Sequence, residues 1–407
     1  MATVLNLPSF RIEDACTMQD PYPTYRELRD HGPVCRGGPG QWVFSRHAEV
    51  SALLRDPRLG REFPEDYLAM SVGEGPANDY LRRIVIDRDR PNHTRLRGLL
   101  TKALSPAMVR ALRQPITSLV DGVLDRFADE GESDLVTELA VPVPMMVMSE
   151  LFGIPTTDRA VIARWSTSLA QAFAVFIPHD KRREAHEAVV HLRDYMSELL
   201  HERRCRLGED VLSRMITAVK NGSEPLSDEE IIDNALFLYY AGFETTTNLI
   251  ATGCNLIARQ PHTQQQLREN PGMIPAALEE FLRFDAPIHA TTRLATETLE
   301  VAGHTIRAGR VVVLLLASAN HDERVFTDPD RVDVTRSPNP HVSFGGGVHR
   351  CLGAALARIE GTVVFERLIA RFATIEAVRE SVSKPSGGGF RFPYWAYRSV
   401  PVAVRSV

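Results

Sequence analysis

The sequence is short of everything that would staple, anchor or strongly charge it. Its five cysteines, Cys16, Cys35, Cys205, Cys254 and Cys351, are odd in number and widely scattered, with no Cys-x-x-Cys pair to suggest a zinc site or a redox dithiol. Such usage expects a reducing cytoplasm. The most continuous apolar run, Val311 to Ala317, falls far below the roughly 20 residues of a membrane-spanning helix. The opening Met1 to Phe10 lacks a basic region followed by an apolar stretch, so it reads as neither signal peptide nor anchor. A formal net charge of −5 gives no ground for a nucleic-acid surface. Repeats, low-complexity tracts and linkers are missing too. Length alone would suggest two or three domains, but residues 1–407 are expected to form one soluble domain.

What is present is an ordinary globular composition, 44% hydrophobic and 24% charged, arranged mostly as amphipathic helices. Asp20-Pro-Tyr-Pro23 predicts a helix start running to about His31, with Gly32 as its stop. Pro33 to Cys35 and Gln41 to Phe44 flank the glycine-rich turn Gly37 to Gly40 and predict a hairpin. Ser45 caps a helix from Ala48 to Leu54. The stretch Gly60 to Arg90, rich in Pro, Gly and Asp, is expected to be loop. Helices follow over about 89–104, 107–127, 135–151, 158–173 and 181–206, with a break at Phe176 to Asp180.

Ser227-Asp-Glu-Glu230 is a capping box. It opens the longest helix, which reaches about Arg259; at 1.5 Å per residue this helix is roughly 50 Å long and must cross the molecule. Its section Ala235 to Phe243 is apolar nearly all round, which argues for burial. The polar cluster Gly242 to Asn248 then interrupts it, and buried polar groups need partners or a purpose. A further helix, Ile274 to Phe284, precedes short strands at 291–294, 299–301, 304–306 and 311–316. The expected class is mainly α with small β-sheets (α+β).

The stretch His341-Val-Ser-Phe-Gly-Gly-Gly-Val-His-Arg-Cys-Leu-Gly353 leads into a helix-like segment, Ala354 to Phe372. Gly345, Gly346 and Gly347 let the backbone turn tightly and approach something flat. Cys351 falls near a helix start, where unpaired N–H groups and the dipole favour a thiolate near neutral pH. Read alone, the same residue serves equally as a small buried hydrophobe. His93 and Arg97, four apart on one predicted helix, share a face.

Together these segments resemble the cytochrome P450 family over nearly the whole chain. Phe344, Gly345, Gly347, His349, Cys351 and Gly353 match its haem-binding pattern, Phe-Gly-x-Gly-x-His/Arg-x-Cys-x-Gly. The resemblance implies haem b (iron protoporphyrin IX), with Cys351 as the iron's axial ligand; thiolate donation favours O–O cleavage. It implies that His93, Arg97, Arg293 and His349 hold the two propionates. Ala241 to Thr246 match the oxygen-activation segment, in which Gly242 lets O2 approach the backbone while Glu244 and Thr245 relay protons. Phe243 stands where many soluble bacterial relatives carry His, which alters packing near the pocket. Glu280, Arg283 and Arg336 match a buried structural group and carry no catalytic role.

The activity so implied is a monooxygenase that inserts one atom of O2 into a C–H bond or alkene of a medium-sized, largely apolar molecule. The overall pattern is similar to actinobacterial enzymes of antibiotic and other secondary-metabolite tailoring. Oxidative coupling or ring closure on the same fold, and a haem-thiolate sensor without turnover, are the alternatives. Because the chain stops at Val407, electrons are expected from NAD(P)H through a separate ferredoxin and ferredoxin reductase. Arg97, Lys102, Arg350 and Arg358 are candidates for their docking face. Substrate contacts are expected from 65–86, 173–179, 237–243, 288–292 and 389–392. Leu68, Met70, Phe173, Phe176, Tyr240 and Phe392 would make the pocket apolar, His289 and Thr292 would add polar handles near the haem edge, and Arg391 has no clear place.

Overall fold

The computed structural model describes residues 7–11, 18–127, 130–174, 177, 179–220, 226–378, 382–385 and 393–407. Its axis is the helix Asp228–Arg259, buried from Ile231 to Ala258 at most positions. The capping box forms as the sequence dictates: Ser227 Oγ accepts from Glu230 N at 3.2 Å and Glu230 Oε2 accepts from Ser227 N at 3.0 Å. Pro142–Leu151, His179–Cys205, Ile274–Phe284 and Ala354–Arg371 pack around this central helix. Glycines permit the closest crossings. A Cβ on Gly253 would collide with the Phe365 ring, and one on Gly361 with Leu278.

A five-stranded sheet stands beside the helices in the order Val34–Arg36, Gln41–Phe44, Val311–Leu315, Ala290–Ala295, Leu59–Gly60. Gln41–Phe44 pairs parallel to Val311–Leu315, and the other pairings are antiparallel. Val311–Leu315 is buried along its whole length, which explains its unbroken apolar run without alternation. Smaller sheets join Glu130–Asp134, Pro401–Ser406 and Phe372–Ala377, Leu299–Val301 with His304–Ile306, and Val382–Pro385 with Trp395–Ser399. The fold is mainly α with small β-sheets, as the sequence leads one to expect.

Several elements differ from the sequence reading. The expected loop 60–90 carries the helices Glu65–Val72 and Pro76–Leu81 and a turn at Val85–Asp87. Such short helices are marginal alone, and partners far along the chain hold them here. His186 Nδ1 accepts from Ala77 N at 3.1 Å, and Asn234 Oδ1 accepts from Val85 N at 2.8 Å. The expected helix 107–127 is two, Pro106–Ala111 and Arg113–Leu124. Val211–Lys220, Pro261–Glu269 and the strands after Phe372 were not legible. Among the described residues, no helix is long and apolar enough to cross a membrane.

Candidate active site

A buried ion cluster organises the chain before Cys351. Glu280 and Arg283 are both 0% exposed, and Arg283 Nε and Nη2 each donate to the Glu280 carboxylate at 2.8 Å. Glu280 also accepts from Asp333 N at 2.9 Å, Arg336 Nε at 3.1 Å and Asn339 Nδ2 at 3.2 Å. Arg283 continues to the carbonyl of Asn320 at 3.0 Å. Asn320 accepts from Val342 N and donates to Ser343 Oγ, both at 2.8 Å. Ser343 then donates to the Leu282 carbonyl at 2.7 Å. The chain is thus aimed residue by residue toward Phe344, whose carbonyl accepts from Cys351 N at 2.9 Å and closes the loop.

Within the loop the glycines divide the work. Gly345 and Gly347 have φ of 65° and 64°, the left-handed region that favours glycine. A Cβ on Gly347 would lie 2.5 Å from the Leu54 carbonyl oxygen. The close approach expected of the glycine run is therefore made partly to Leu54 and Arg55, whereas Gly345 lines a cavity. Phe344, Cys351 and Gly353 line the same cavity.

Cys351 precedes the helix Ala354–Arg371, whose N-cap is Gly353. Burial pushes its thiol up, against the Gly353 N–H and the charges of Arg97, Arg350 and Arg358. Cys351 is nonetheless exposed to the cavity, and these donors and cations favour the thiolate expected there. A coordinated cation would complete the deprotonation. Among the described residues no cluster of three or more His, Cys, Asp or Glu side chains could hold a metal.

The edge of the cavity is cationic. His93, on the helix Asn92–Ala103, is buried and its Nε2 has no hydrogen-bond partner. Burial and the nearby charges of His349 and Arg97 lower its pKa to about 4. The His93 and His349 rings lie 4.3 Å apart. Arg97 donates to the Arg350 carbonyl at 2.7 Å. Arg293 is 4% exposed and donates to Thr291 Oγ1 at 3.0 Å and the Thr292 carbonyl at 2.8 Å. No carboxylate forms an ion pair with it among the described residues, and burial with Arg61 lowers it to about 9. An orphaned imidazole nitrogen and a buried guanidinium without a direct ion pair among the described residues suit a ligand that brings carboxylates.

Opposite them, the central helix turns Ala241, Gly242, Thr245, Thr246 and Leu249 to the cavity, the spacing of one helical face. Thr245 donates its hydroxyl to the Ala241 carbonyl at 2.7 Å. Glu244 is half-buried and lies off this wall, within electrostatic reach of Tyr394. One residue of helical rotation separates the expected acid from the expected alcohol. The smallness of Gly242 also serves packing, since a Cβ there would meet Met148 Sδ at 2.5 Å.

The family model described as "Cytochrome P450" matches residues 58–389. The chain belongs to the cytochrome P450 family. This P450 is 34% identical over 341 residues to the polyketide biosynthesis cytochrome P450 PksS of Bacillus subtilis (strain 168), covering 82% of each chain. It is 37% identical over 361 residues to the vitamin D(3) 25-hydroxylase of Pseudonocardia autotrophica, covering 86% of each. Among solved structures, CalO2 aligns with a TM-score of 0.89 at 31% identity, covering 97% of this chain and 98% of that one. P450BioI, in complex with an acyl carrier protein ligated by hexadec-9Z-enoic acid, aligns with a TM-score of 0.88 at 31% identity, covering 95% and 99%. The protein is accordingly an oxidoreductase of the haem-iron, O2-using kind, acting on small molecules with redox partners.

The substrate side of this P450 departs from the sequence reading in several places. Phe173 and Tyr240 line the cavity with their rings stacked at 4.8 Å. Met70 is 69% exposed and does not. Leu68 packs at the edge of the core instead. Phe176, Arg391 and Phe392 lie outside the described residues, as does Cys16. His289 is buried away from the cavity, stacked on Trp395 at 4.9 Å and bonded through Nδ1 to Tyr25 Oη at 3.2 Å. Thr291 rather than Thr292 lines the cavity, because alternate residues of a strand share a face and Thr291 lies on that of Arg293.

Ile288, in the expected segment 288–292, also lines it, as do Arg61 and Tyr394, which carry no local signal. Arg61 pairs with Asp87 at 2.7 Å and donates to Thr291 Oγ1 at 3.2 Å, across 230 residues. Of the cations expected on the docking face, Arg358 is engaged by Glu279 through two bonds of 2.7 Å and lies over the Phe344 ring. Lys102 and Arg350 are exposed.

Proposed function

We propose that this P450 is a haem-thiolate monooxygenase inserting one oxygen atom from O2 into a C–H bond or alkene of a medium-sized, largely apolar molecule, within secondary-metabolite tailoring. The supporting observation is a single cavity with Cys351 on one wall, Thr245 on another, and His93, Arg97, Arg293 and His349 at its edge. Haem b, when bound, supplies the iron at which O2 is activated. Cys351 is the residue to ligate it. His93 offers an unpartnered Nε2 and Arg293 a guanidinium without a direct ion pair among the described residues to the propionates, with Arg97 and His349 beside them. Ala241, Gly242, Phe344, Gly345 and Gly353 line the cavity and would flank the haem ring when it is bound.

Thr245 spends its hydroxyl hydrogen on the Ala241 carbonyl, so it presents oxygen lone pairs to the cavity. It therefore holds a proton-bearing group in place there. Glu244, one residue away and turned toward Tyr394, is the acid that resupplies protons. Phe173, Phe237, Leu238 and Ile288 hold the substrate and keep water out. Electrons come from NAD(P)H through a ferredoxin and a ferredoxin reductase in the cytoplasm, with Lys102 and Arg350 steering the donor. Relatives named for polyketide biosynthesis and for vitamin D(3) hydroxylation support an apolar substrate of this size.

The test is optical. The reduced protein with carbon monoxide should show the strongly red-shifted Soret band of a thiolate-bound haem, and Cys351→Ala should abolish it. A histidine-type band, or no haem, would sink the reading. With labelled O2, one labelled atom in the product is expected; an oxidised but unlabelled product means coupling or ring closure.

A further inference from the structure

The polar groups on the cavity wall are not equivalent in what they can offer a ligand. Ser343 and Thr245 donate to the Leu282 and Ala241 carbonyls. Arg61 is paired with Asp87, and His93, Arg97, Arg293 and His349 answer to the carboxylates of the cofactor. This leaves Thr246, Thr291 and the phenols Tyr240 and Tyr394, of which Thr291 and Tyr394 stand on joined segments.

Thr291 Oγ1 accepts from Arg293 Nη1 at 3.0 Å and from Arg61 Nη1 at 3.2 Å. A hydroxyl has two acceptor lone pairs and one hydrogen. With both lone pairs engaged, only the O–H of Thr291 is left to act. Tyr394 lines the same cavity, and its phenol keeps its hydrogen for a different reason. Burial pushes the Tyr394 phenol up to about 12, and the Glu244 charge adds to the rise, so it stays protonated at physiological pH.

The two hydroxyls share one wall. Ile288 and Tyr394 form an antiparallel bridge. It is flanked by bonds from His289 N to the Pro393 carbonyl at 2.8 Å and from Trp395 N to the Pro287 carbonyl at 3.0 Å. Tyr394 is thereby tied to the segment that runs into the strand Ala290–Ala295, which carries Thr291. Around them Ile86, Pro287 and Ile288 are apolar.

We propose that the hydroxyls of Tyr394 and Thr291 form a hydrogen-bond-donating subsite that recognises the carbonyl oxygen of an otherwise apolar substrate, a ketone, ester, lactone or amide, and so sets which carbon faces the cofactor. A neutral carbonyl fits better than a carboxylate, because Asp87 already balances the Arg61 charge. The proposal rests on reading the cavity as the haem and substrate site.

The test compares two ligands of nearly equal shape, cyclododecanone and cyclododecane, by the low-spin to high-spin Soret shift of the haem-loaded protein. In Tyr394→Phe the dissociation constant for the ketone should rise about tenfold, the scale of one buried hydrogen bond, while that for the hydrocarbon changes less than about twofold. Thr291→Val should weaken ketone binding in the same selective way at unchanged haem content. The carbon monoxide band of the same samples reports the haem-thiolate reading independently. A ketone preference retained in Tyr394→Phe overturns the subsite, as does a wild-type protein that binds neither ligand or does not distinguish them. Haem loss in Thr291→Val with the ketone preference intact would assign Thr291 to the cofactor and likewise overturn the pair.

Discussion

Glu280→Gln should uncouple the approach to the cysteine loop from the rest of the protein. The substitution keeps the side-chain shape and one acceptor oxygen but removes the charge facing Arg283, which is 0% exposed. Arg283 keeps its carbonyl partners at Asn320 and Pro329, at 3.0 and 2.8 Å, yet loses its counter-ion. Removing one partner of a buried pair costs about 3–5 kcal/mol, and the retained oxygen places glutamine at the lower end. Arg336, with a side chain 10% exposed, is less costly to strip. Arg336→Gln leaves Glu280 with Arg283, Asp333 N and Asn339, and should cost about 1–2 kcal/mol.

Hydrogen exchange gives the local readout. A loss of about 3 kcal/mol corresponds to a rise of roughly a hundredfold in exchange. It should fall on residues 320–343, which the cluster ties together through Asn320 and Ser343. The strand Glu130–Asp134 lies outside this network and should be unchanged. Haem content should fall with it, because the same bonds aim Phe344 and Cys351. Equal effects of Glu280→Gln and Arg336→Gln, or unchanged exchange over 320–343, would refute the reasoning.

Two further outcomes follow from the site. Burial pushes Glu279 up, but bonds from Arg358 and His341 outweigh it and hold the carboxyl at about 2. A carboxylate depressed in the folded state adds stability above its unfolded value near 4.3, and that stability is lost as pH falls from there toward about 2. Glu279→Gln should therefore lower stability at pH 7 by about 1 kcal/mol, discounted for its 28% exposed side chain, and flatten the acid limb of a urea-midpoint titration; an unaltered limb would show that the pair contributes nothing. Thr245→Ala should leave the carbon monoxide band and ligand-induced spin shift intact while product per NAD(P)H falls about tenfold or more in favour of peroxide. Thr245→Ser, which can restore the bond to Ala241, should recover most of the coupling, and no loss in the alanine variant would remove Thr245 from proton handling.

Much of the molecule was legible because its signals are local. The central helix announces itself through Ser227 and Glu230, three residues apart, and through an apolar run that must be buried. The Cys351 loop is a contiguous pattern whose glycines have positive φ for reasons a sequence can express. The helices Glu65–Val72 and Pro76–Leu81 were missed because each is too short to stand by propensity, and the contacts of His186 with Val72 and Ala77 that hold them lie 114 and 109 residues away.

Local chemistry in the sequence by itself determined the helical class, the long buried axis and a cysteine presented by a turning loop. Tertiary structure alone decided what faces the cavity. It rotated Glu244 off the wall while leaving Thr245 on it, exchanged Thr292 for Thr291, and withdrew His289 into a stack with Trp395. It also brought Arg61 and Tyr394 to the same space from opposite ends of the chain. A side chain's direction depends on helix rotation, strand parity and neighbours hundreds of residues away, and none of these is written at the residue itself.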